Sequence, residues 1–169
     1  VMVNHDGGEE TLRSVASLLA DLTANDQLVL IDNGSRDDSG EACVRNYPTI
    51  EYHAHAENLT FAEATNRGLA IALEQGYHYV GLINPDVRVH PGMTFQLVKT
   101  LETELSLAGA SPLIFYPEGK RIWFAGGEIH WLFGWMSHRG YLKSFREGDW
   151  QRSEVEYLTG CCWLTPAPV

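Results

Sequence analysis

The chain has 169 residues, of which 44% are hydrophobic and 20% charged, a composition typical of one globular domain and not of a disordered segment. Its formal net charge of −10 argues against a nucleic-acid binder, whose affinity rests on basic side chains that contact phosphates. No apolar run approaches the roughly 20 residues of a membrane-spanning helix, and the three cysteines show no paired framework, so we expect thiols that act as small core hydrophobes in a reducing compartment.

The predicted elements alternate between strands and helices through the first two thirds of the chain. In chain order, apolar spacing and turn residues predict a strand over 1–4, a helix over 12–22, a strand over 27–31, a helix from 37–39 to about 47, a strand over 50–55, a helix over 61–75, a strand over 79–83, a helix from 91–92 to about 107 and a strand over 108–115. Such alternation with short connections predicts a mostly parallel sheet covered by helices on both faces.

The last third of the chain has a looser pattern. Glycines punctuate an aromatic-rich stretch from residue 121 onward, which predicts irregular strands and loops packed against the sheet edge. A final strand is predicted over 157–164, leading into Pro166. Because residues 1–4 resemble the end of a strand whose beginning is absent, we expect a piece of a longer protein, truncated at both ends.

Polar residues follow three of the predicted parallel strands: Asn4-His5-Asp6, Asp32-Asn33 and Asn84-Pro85-Asp86. Since the carboxyl ends of parallel strands lie along one edge, these residues are expected to converge on one crevice. A single carboxylate such as Asp86 on a rigid turn suits a divalent cation that keeps several waters and clamps phosphates, although Asn-Pro-Asp alone is also ordinary turn chemistry. The glycine-rich fingerprints of dinucleotide-binding enzymes and of phosphate-loop NTPases are absent, which counts against both classes.

Six blocks, in order over nearly the whole chain, resemble the inverting family 2 glycosyltransferases of the GT-A fold, and among them bacterial rhamnosyltransferase-like members. The blocks are 3–7 (VNHDG), 29–37 (VLIDNGSRD), 58–68 (NLTFAEATNRG), 82–87 (LINPDV), 123–127 (WFAGG) and 157–161 (YLTGC). The resemblance implies a Rossmann-like nucleotide-diphospho-sugar transferase, a three-layer α/β fold with a mostly parallel central sheet. It also implies a single partial GT-A domain over 1–169, with a nucleotide-sugar-binding half over 1–115 and an incomplete acceptor-side half over 116–169.

The resemblance assigns roles to individual residues. His5 would stack on the nucleobase, Asp32 would accept a hydrogen bond from the imide N–H of uracil or thymine, and Asp86 would bind Mg²⁺ or Mn²⁺ on the donor diphosphate. Asn84 replaces the first acid of the family's usual acidic pair, which leaves one strong anionic ligand. The full set of implied donor-nucleotide contacts is Val3, Asn4, His5, Asp32, Asn58, Phe61, Asn66 and Asn84.

The implied reaction moves a sugar from a UDP- or dTDP-sugar, dTDP-rhamnose included, to a saccharide or lipid-linked saccharide acceptor with inversion, in polysaccharide or cell-wall glycan synthesis. In this family the general base belongs to a Glu-Asp pair, and no such dipeptide occurs in the sequence. We therefore expect the base beyond Val169 and an inactive fragment. The implied location is the cytoplasm, at the cytoplasmic face of the membrane, with no membrane span in this chain and no nucleic-acid partner.

Three alternatives stay open at this stage. A nucleotidyltransferase also places a carboxylate and magnesium beside a parallel sheet, but it carries a glycine- and basic-rich loop that is absent at 6–9. A noncatalytic nucleotide-sugar-binding module would need no general base. A purely structural α/β domain would bind no nucleotide even in the presence of a cation.

Overall fold

The computed structural model describes residues 1–167. Within them the elements are β1 (Met2–Asn4), α1 (Gly8–Leu19), β2 (Val29–Asp32), α2 (Ser39–Asn46), β3 (Glu51–Ala54), α3 (Phe61–Glu74), β4 (Tyr79–Ile83), α4 (Met93–Thr103), β5 (Ile114–Phe115), β6 (Ile122–Phe124), β7 (Gly127–His130), β8 (Trp135–His138) and β9 (Cys162–Pro166). The predicted alternation of strands and helices up to α4 is confirmed.

The central sheet is parallel on one side and antiparallel at its other edge. Strands β1, β2 and β3 pair in parallel in that order. Val1 joins β4 to this sheet, because its backbone nitrogen donates to the Gly81 oxygen at 2.7 Å and its oxygen accepts from the Ile83 nitrogen at 3.0 Å. Strand β9 then pairs antiparallel with β4. The resulting spatial order is β3-β2-β1-β4-β9.

Alternate residues of the strands face opposite helical layers, as the period of two of a strand requires. Met2 and Leu30 pack with α1 and α2 on one face, whereas Val3 and Ile31 pack with α3 on the other. Helix α3 approaches closely at Gly68, where a Cβ atom would lie 2.4 Å from Val1 Cγ1 and 2.9 Å from Ile31 Cγ1. The molecule is therefore a three-layer α/β arrangement with buried strands at its centre.

Local signals explain where the helices begin and end. Thr60 caps α3 by accepting a hydrogen bond from the Glu63 nitrogen at 3.2 Å. Gly76 follows the end of α3 with φ of 75°, which confirms it as the stop signal. At α2 the side chain that caps is Asp37, which accepts from both the nitrogen (3.1 Å) and the hydroxyl (2.5 Å) of Ser39.

The predicted strand over 108–115 is wrong as one continuous element. Ala110 makes an isolated antiparallel bridge to Leu164, and only the two residues of β5 pair with β6. Pro112 lies between them and has no N–H to donate to a ladder, so the segment cannot continue as a paired strand.

Further boundaries also differ from the predictions, and the first is that of α1, which spans Gly8–Leu19 and not 12–22. Helix α4 ends at Thr103 instead of near residue 107, after which the Leu107 nitrogen closes a turn onto the Glu104 oxygen. The last strand begins at Cys162 and not at Tyr157, because Tyr157 bridges Gly127 and the chain then turns before joining β4. The predicted parallel character thus ends at the β4–β9 edge.

Residues 120–146 form a long two-stranded antiparallel structure that we call the aromatic ribbon. Strands β7 and β8 pair over four residues at its tip, and backbone hydrogen bonds join Ile122 to Leu142 and Lys143 near its base. The predicted irregular strands in this region are confirmed. Across residues 1–167, none of the helices combines the length and the apolar character needed to cross a membrane.

Candidate functional site

A cavity of about 480 Å³ opens where β1, β2 and β4 end. Six of the nine predicted site residues line it: Val3, His5, Asn58, Phe61, Asn84 and Asp86. Six other residues line it that were not among the predicted donor contacts: Gly7, Glu10, Thr11, Asn33, Leu59 and Pro85. Of these, Asn33 and Pro85 belong to the polar strand ends that the sequence predicted at this edge. Strand ends that are distant in sequence therefore do converge on one crevice.

Asn33 fixes one wall of the cavity by binding the loop that precedes α3. Its side-chain nitrogen donates to the Leu59 oxygen and to Asn58 Oδ1, both at 2.9 Å, and its side-chain oxygen accepts from the Leu59 nitrogen at 2.9 Å. The two-way contact with one backbone residue imitates the pairing of a strand, so the loop is held rigidly against the end of β2.

Two hydrogen bonds orient the imidazole of His5. Nδ1 lies 3.0 Å from the Asn33 oxygen, and Nε2 lies 3.0 Å from Asn58 Nδ2. Since the carbonyl only accepts and the amide nitrogen only donates, both contacts are satisfied by the neutral tautomer that carries its proton on Nδ1. The ring is thus held in one orientation at the cavity wall, which also includes the half-exposed ring of Phe61.

The turn after β4 brings two oxygen ligands to the cavity. The backbone of Asn84 is held by Cys161, whose oxygen accepts from the Asn84 nitrogen at 2.8 Å. Asn84 Oδ1 is buried and accepts no hydrogen bond from any residue in the described range 1–167, while Asp86 is exposed at the same wall. An orphaned amide oxygen beside a free carboxylate fits a hard cation, and a buried acceptor without a partner is costly unless a ligand satisfies it.

The protein alone does not form a closed metal cage. Within residues 1–167 there is no group of three or more His, Cys, Asp or Glu side chains that could hold a metal ion. Asn84 and Asp86 fit the kind of cation that takes one or two protein ligands and completes its shell with water and substrate phosphates. The donor set therefore suits Mg²⁺ or Mn²⁺ arriving with a diphosphate.

Glu10 adds a second carboxylate to the cavity wall and is itself held by arginines. It accepts from Arg88 at 2.7 Å and from Arg13 at 3.0 Å. The hydrogen bond from Arg88 lowers the pKa of Glu10 below its ordinary value, so this side chain is ionised at neutral pH. Its signal in the sequence is weak, because Glu10 lies on α1 and its partner lies 78 residues away.

Asn4 and Asp32 were predicted as donor contacts, but the structure places both beneath the cavity. Asn4 is fully buried, and its side-chain nitrogen donates to Asp32 Oδ2 at 3.1 Å, Ser35 Oγ at 3.1 Å and Ser39 Oγ at 2.8 Å. Its oxygen accepts from the Thr11 hydroxyl at 2.7 Å. Both residues therefore brace the loops that frame the cavity, and their direct contact with a nucleotide stays a prediction.

Asn66, the remaining predicted contact, lies exposed on α3 and is not among the residues that line the cavity.

Asp6 joins the loops that follow β1 and β2. It adopts φ of 50° and accepts from the Arg36 nitrogen at 2.6 Å. That backbone hydrogen bond lowers the pKa of Asp6. The loops after β1 and β2 are thus joined to each other at the mouth of the site.

The three cysteines contain no disulfide within residues 1–167. Cys43 and Cys162 are buried, as predicted for thiols that act as core hydrophobes. Cys161 is partly buried beside the turn that carries Asp86, and burial first, then the charge of Asp86, raises its pKa to about 11. Burial likewise raises the pKa of Cys43 to about 11 and that of Cys162 to about 12, which favours the protonated, less nucleophilic form of each thiol.

The comparison with known proteins agrees with this geometry. The family described as Glycosyl transferase family 2 matches residues 1–168. Two proteins named N-acetylglucosaminyl-diphospho-decaprenol L-rhamnosyltransferase, from Mycobacterium tuberculosis strains CDC 1551 / Oshkosh and ATCC 25618 / H37Rv, are each 28% identical over 182 residues, covering 97% of this chain and 59% of the relative. The chain thus spans about 59% of the length of these curated relatives. The predicted three-layer α/β class with its parallel strands is confirmed, and the chain belongs to glycosyl transferase family 2.

Proposed function

We propose that the protein containing this chain transfers a sugar from a nucleoside-diphosphate donor to a saccharide acceptor, and that the cavity described above binds the donor. The observation that carries the proposal is the cavity's composition. One part of its wall is aromatic and apolar, and another is formed by the Asp86 carboxylate and by Asn84, whose buried Oδ1 accepts no hydrogen bond within the described range 1–167. A nucleoside diphosphate has the same two-part character, with a flat base and a strongly anionic tail.

The nucleoside would lie against the aromatic part of the wall. Two hydrogen bonds fix the orientation of the planar His5 ring, and Phe61 presents a ring that is 50% exposed. Both rings can stack on a nucleobase. Such stacking tolerates different bases and is worth about 1–3 kcal/mol per base. Val3 and Leu59 complete the apolar lining, and Asn58, which also lines the cavity, would hydrogen-bond the nucleoside.

The diphosphate would lie at the acidic part of the wall, where charge makes a cation necessary. Asp86 and Glu10 both line the cavity, and one unit charge repels another by about 4 kcal/mol at 4 Å for an effective dielectric constant of 20. Arg88 is ion-paired with Glu10. Asn84 and Asp86 would hold Mg²⁺ or Mn²⁺, which when bound neutralises charge on the leaving diphosphate.

The proposed reaction is a single displacement with inversion. The acceptor hydroxyl forms a bond to the anomeric carbon as the bond from that carbon to the diphosphate oxygen breaks, and a general base takes the hydroxyl proton. The base is proposed to lie beyond Val169. Because the name of the two relatives specifies a lipid-linked acceptor and L-rhamnose transfer, we propose a lipid-linked saccharide acceptor, a dTDP- or UDP-sugar donor and action at the cytoplasmic face of a membrane.

The proposal is tested by calorimetric titration with UDP and dTDP, in the presence and absence of Mn²⁺. We expect Mn²⁺-dependent binding that Asp86→Asn weakens at least about tenfold, equivalent to about 1.4 kcal/mol. Asp149→Asn is the matched control, because this exposed carboxylate lies outside the cavity. In the same assay Asn84→Asp should tighten the Mn²⁺-dependent binding, since it supplies a second anionic ligand.

Equal affinity in the wild type and in Asp86→Asn would remove Asp86 from its assigned role. Tight binding without any cation would contradict the electrostatic argument. Absence of nucleotide binding under all conditions, in a protein that circular dichroism shows to be folded, would favour the purely structural domain.

A further inference from the structure

The tip of the aromatic ribbon exposes a block of large apolar side chains. Trp131, Leu132 and Phe133 are 77%, 87% and 75% exposed, and Trp135 and Met136 beside them are 50% and 65% exposed. Single exposed apolar residues are common, but a contiguous block on a projecting turn marks an interaction surface.

The turn at the tip has no acidic or basic residue of its own, and a carboxylate from outside the ribbon, Glu156, accepts hydrogen bonds from Trp131 Nε1 at 3.1 Å and from the Ile129 nitrogen at 2.5 Å. Residues 129–138 contain no Asp, Glu, Lys or Arg. The turn is also ordered before any contact forms, because the nitrogens of Phe133 and Gly134 both donate to the His130 oxygen at 2.9 Å and the His130 ring stacks on Trp135 at 3.7 Å. Burial of Leu132 and Phe133 at the end of the turn therefore requires neither desolvation of an ion on the turn itself nor ordering of a loop.

The ribbon is positively charged within an acidic protein. Residues 120–146 contain five basic residues and one acidic residue, a net charge of +4, whereas the whole chain has a net charge of −10. Lys120, Lys143 and Arg146 are exposed and make no ion pair with any other residue of the described range 1–167. Tyr141 and Leu142, next to Lys143 in the chain, are about half exposed, so exposed apolar and basic side chains are neighbours in this part of the ribbon.

We propose that the aromatic ribbon docks the protein on an anionic lipid surface, with the apolar tip in the interfacial layer and the basic residues against the head groups. Tryptophan and phenylalanine favour the boundary between head groups and acyl chains, and each Lys or Arg near an anionic leaflet adds a favourable interaction. This docking rests on the proposed function, because a lipid-linked acceptor would be presented by the same lipid surface.

The charge of the ribbon disfavours a second copy of the chain as the occupant. A symmetric dimer places the same patch of each subunit against the other. Two ribbons of net charge +4 would then face each other, whereas an anionic leaflet offers the opposite charge.

The test measures co-sedimentation of the 169-residue protein with two kinds of vesicle, pure phosphatidylcholine and phosphatidylcholine with about 30 mol% phosphatidylglycerol. We expect binding to the anionic vesicles that Leu132→Ser/Phe133→Ser reduces at least about tenfold. The matched control is Leu105→Ser, which replaces a leucine that is 89% exposed after α4, and it should bind as the wild type does.

A second pair of variants tests the role of charge. Lys143→Glu/Arg146→Glu should lose the preference for anionic over neutral vesicles, whereas Lys99→Glu/Arg45→Glu, which changes the net charge equally on other elements, should keep it. Equal vesicle binding by the wild type and the tip variant would overturn the proposal. So would self-association in sedimentation velocity that the tip variant abolishes without any vesicle binding by the wild type, because the occupant would then be a second copy.

Nucleotide titration of the same variants separates this inference from the proposed function. The tip variant should bind UDP with Mn²⁺ as the wild type does, since the tip is not part of the cavity. Intact nucleotide binding without vesicle binding would overturn the docking surface alone. Vesicle binding without nucleotide binding would overturn the donor site alone.

Discussion

The substitution Asn4→Leu tests whether the buried hydrogen-bond network beneath the cavity stabilises the fold. The two side chains have similar size, so the change removes hydrogen bonds with little change of volume. Asn4 is fully buried and provides three donor contacts and one acceptor contact.

The expected loss of stability depends on which hydrogen-bond partners of Asn4 retain another hydrogen bond in the variant. Ser35 still accepts from the Asp6 nitrogen, and Ser39 still donates to Asp37. Thr11, fully buried, loses the acceptor of its hydroxyl, and Asp32 Oδ2 loses a donor in a site that is 5% exposed. A stranded buried polar group costs about 1–3 kcal/mol, and a charged one lies at the upper end, so the two groups together cost roughly 4 kcal/mol.

Urea unfolding at pH 7 measures this difference. For a slope of about 2 kcal/mol/M, a loss of roughly 4 kcal/mol lowers the midpoint by roughly 2 M. Asn46→Leu, at an exposed position at the end of α2, is the control and should change the stability by less than about 0.5 kcal/mol. A loss below about 1 kcal/mol for Asn4→Leu would refute the reasoning, because the network would then contribute little to the folded state.

Two further predictions concern the cavity loop and the thiols. Asn33→Ala removes the clamp on the loop before α3, so the amide of Leu59 should exchange with deuterium at least about tenfold faster; unchanged exchange would show that other contacts hold the loop. Burial is the main cause that raises the pKa of all three thiols, to about 11 or about 12. The folded protein should therefore react slowly with a thiol reagent at pH 8, and the protein unfolded in urea should react rapidly. Fast reaction of the native protein would contradict this burial. In the folded protein the pKa of Cys43, Cys161 and Cys162 lies above the ordinary thiol value of 9.0. The stability that these thiols contribute is therefore complete below about pH 9 and is lost as the pH rises toward 11–12.

The sequence contained more information about the cavity than strand ends alone reveal. In register, Asn4 lies opposite Asp32 on neighbouring strands, and these two face α1 and α2. Val3 and His5, one residue to either side of Asn4, line the cavity, and so does Asn33. The period of two of a strand therefore separates residues that touch the cavity from residues that brace it. Asn33 follows the last residue of β2, and the same alternation places it on the face opposite to Asp32, where it lines the cavity.

The sequence by itself determined the order of strands and helices up to α4, because apolar periodicity and the signals at Thr60 and Gly76 act over a few residues. It also determined that polar strand ends share one edge. Only the tertiary structure decided that Glu10 joins the cavity wall and that the last strand runs antiparallel to β4. Those features depend on contacts between residues about 80 positions apart, such as Glu10 with Arg88, and no local pattern specifies which distant partner completes them.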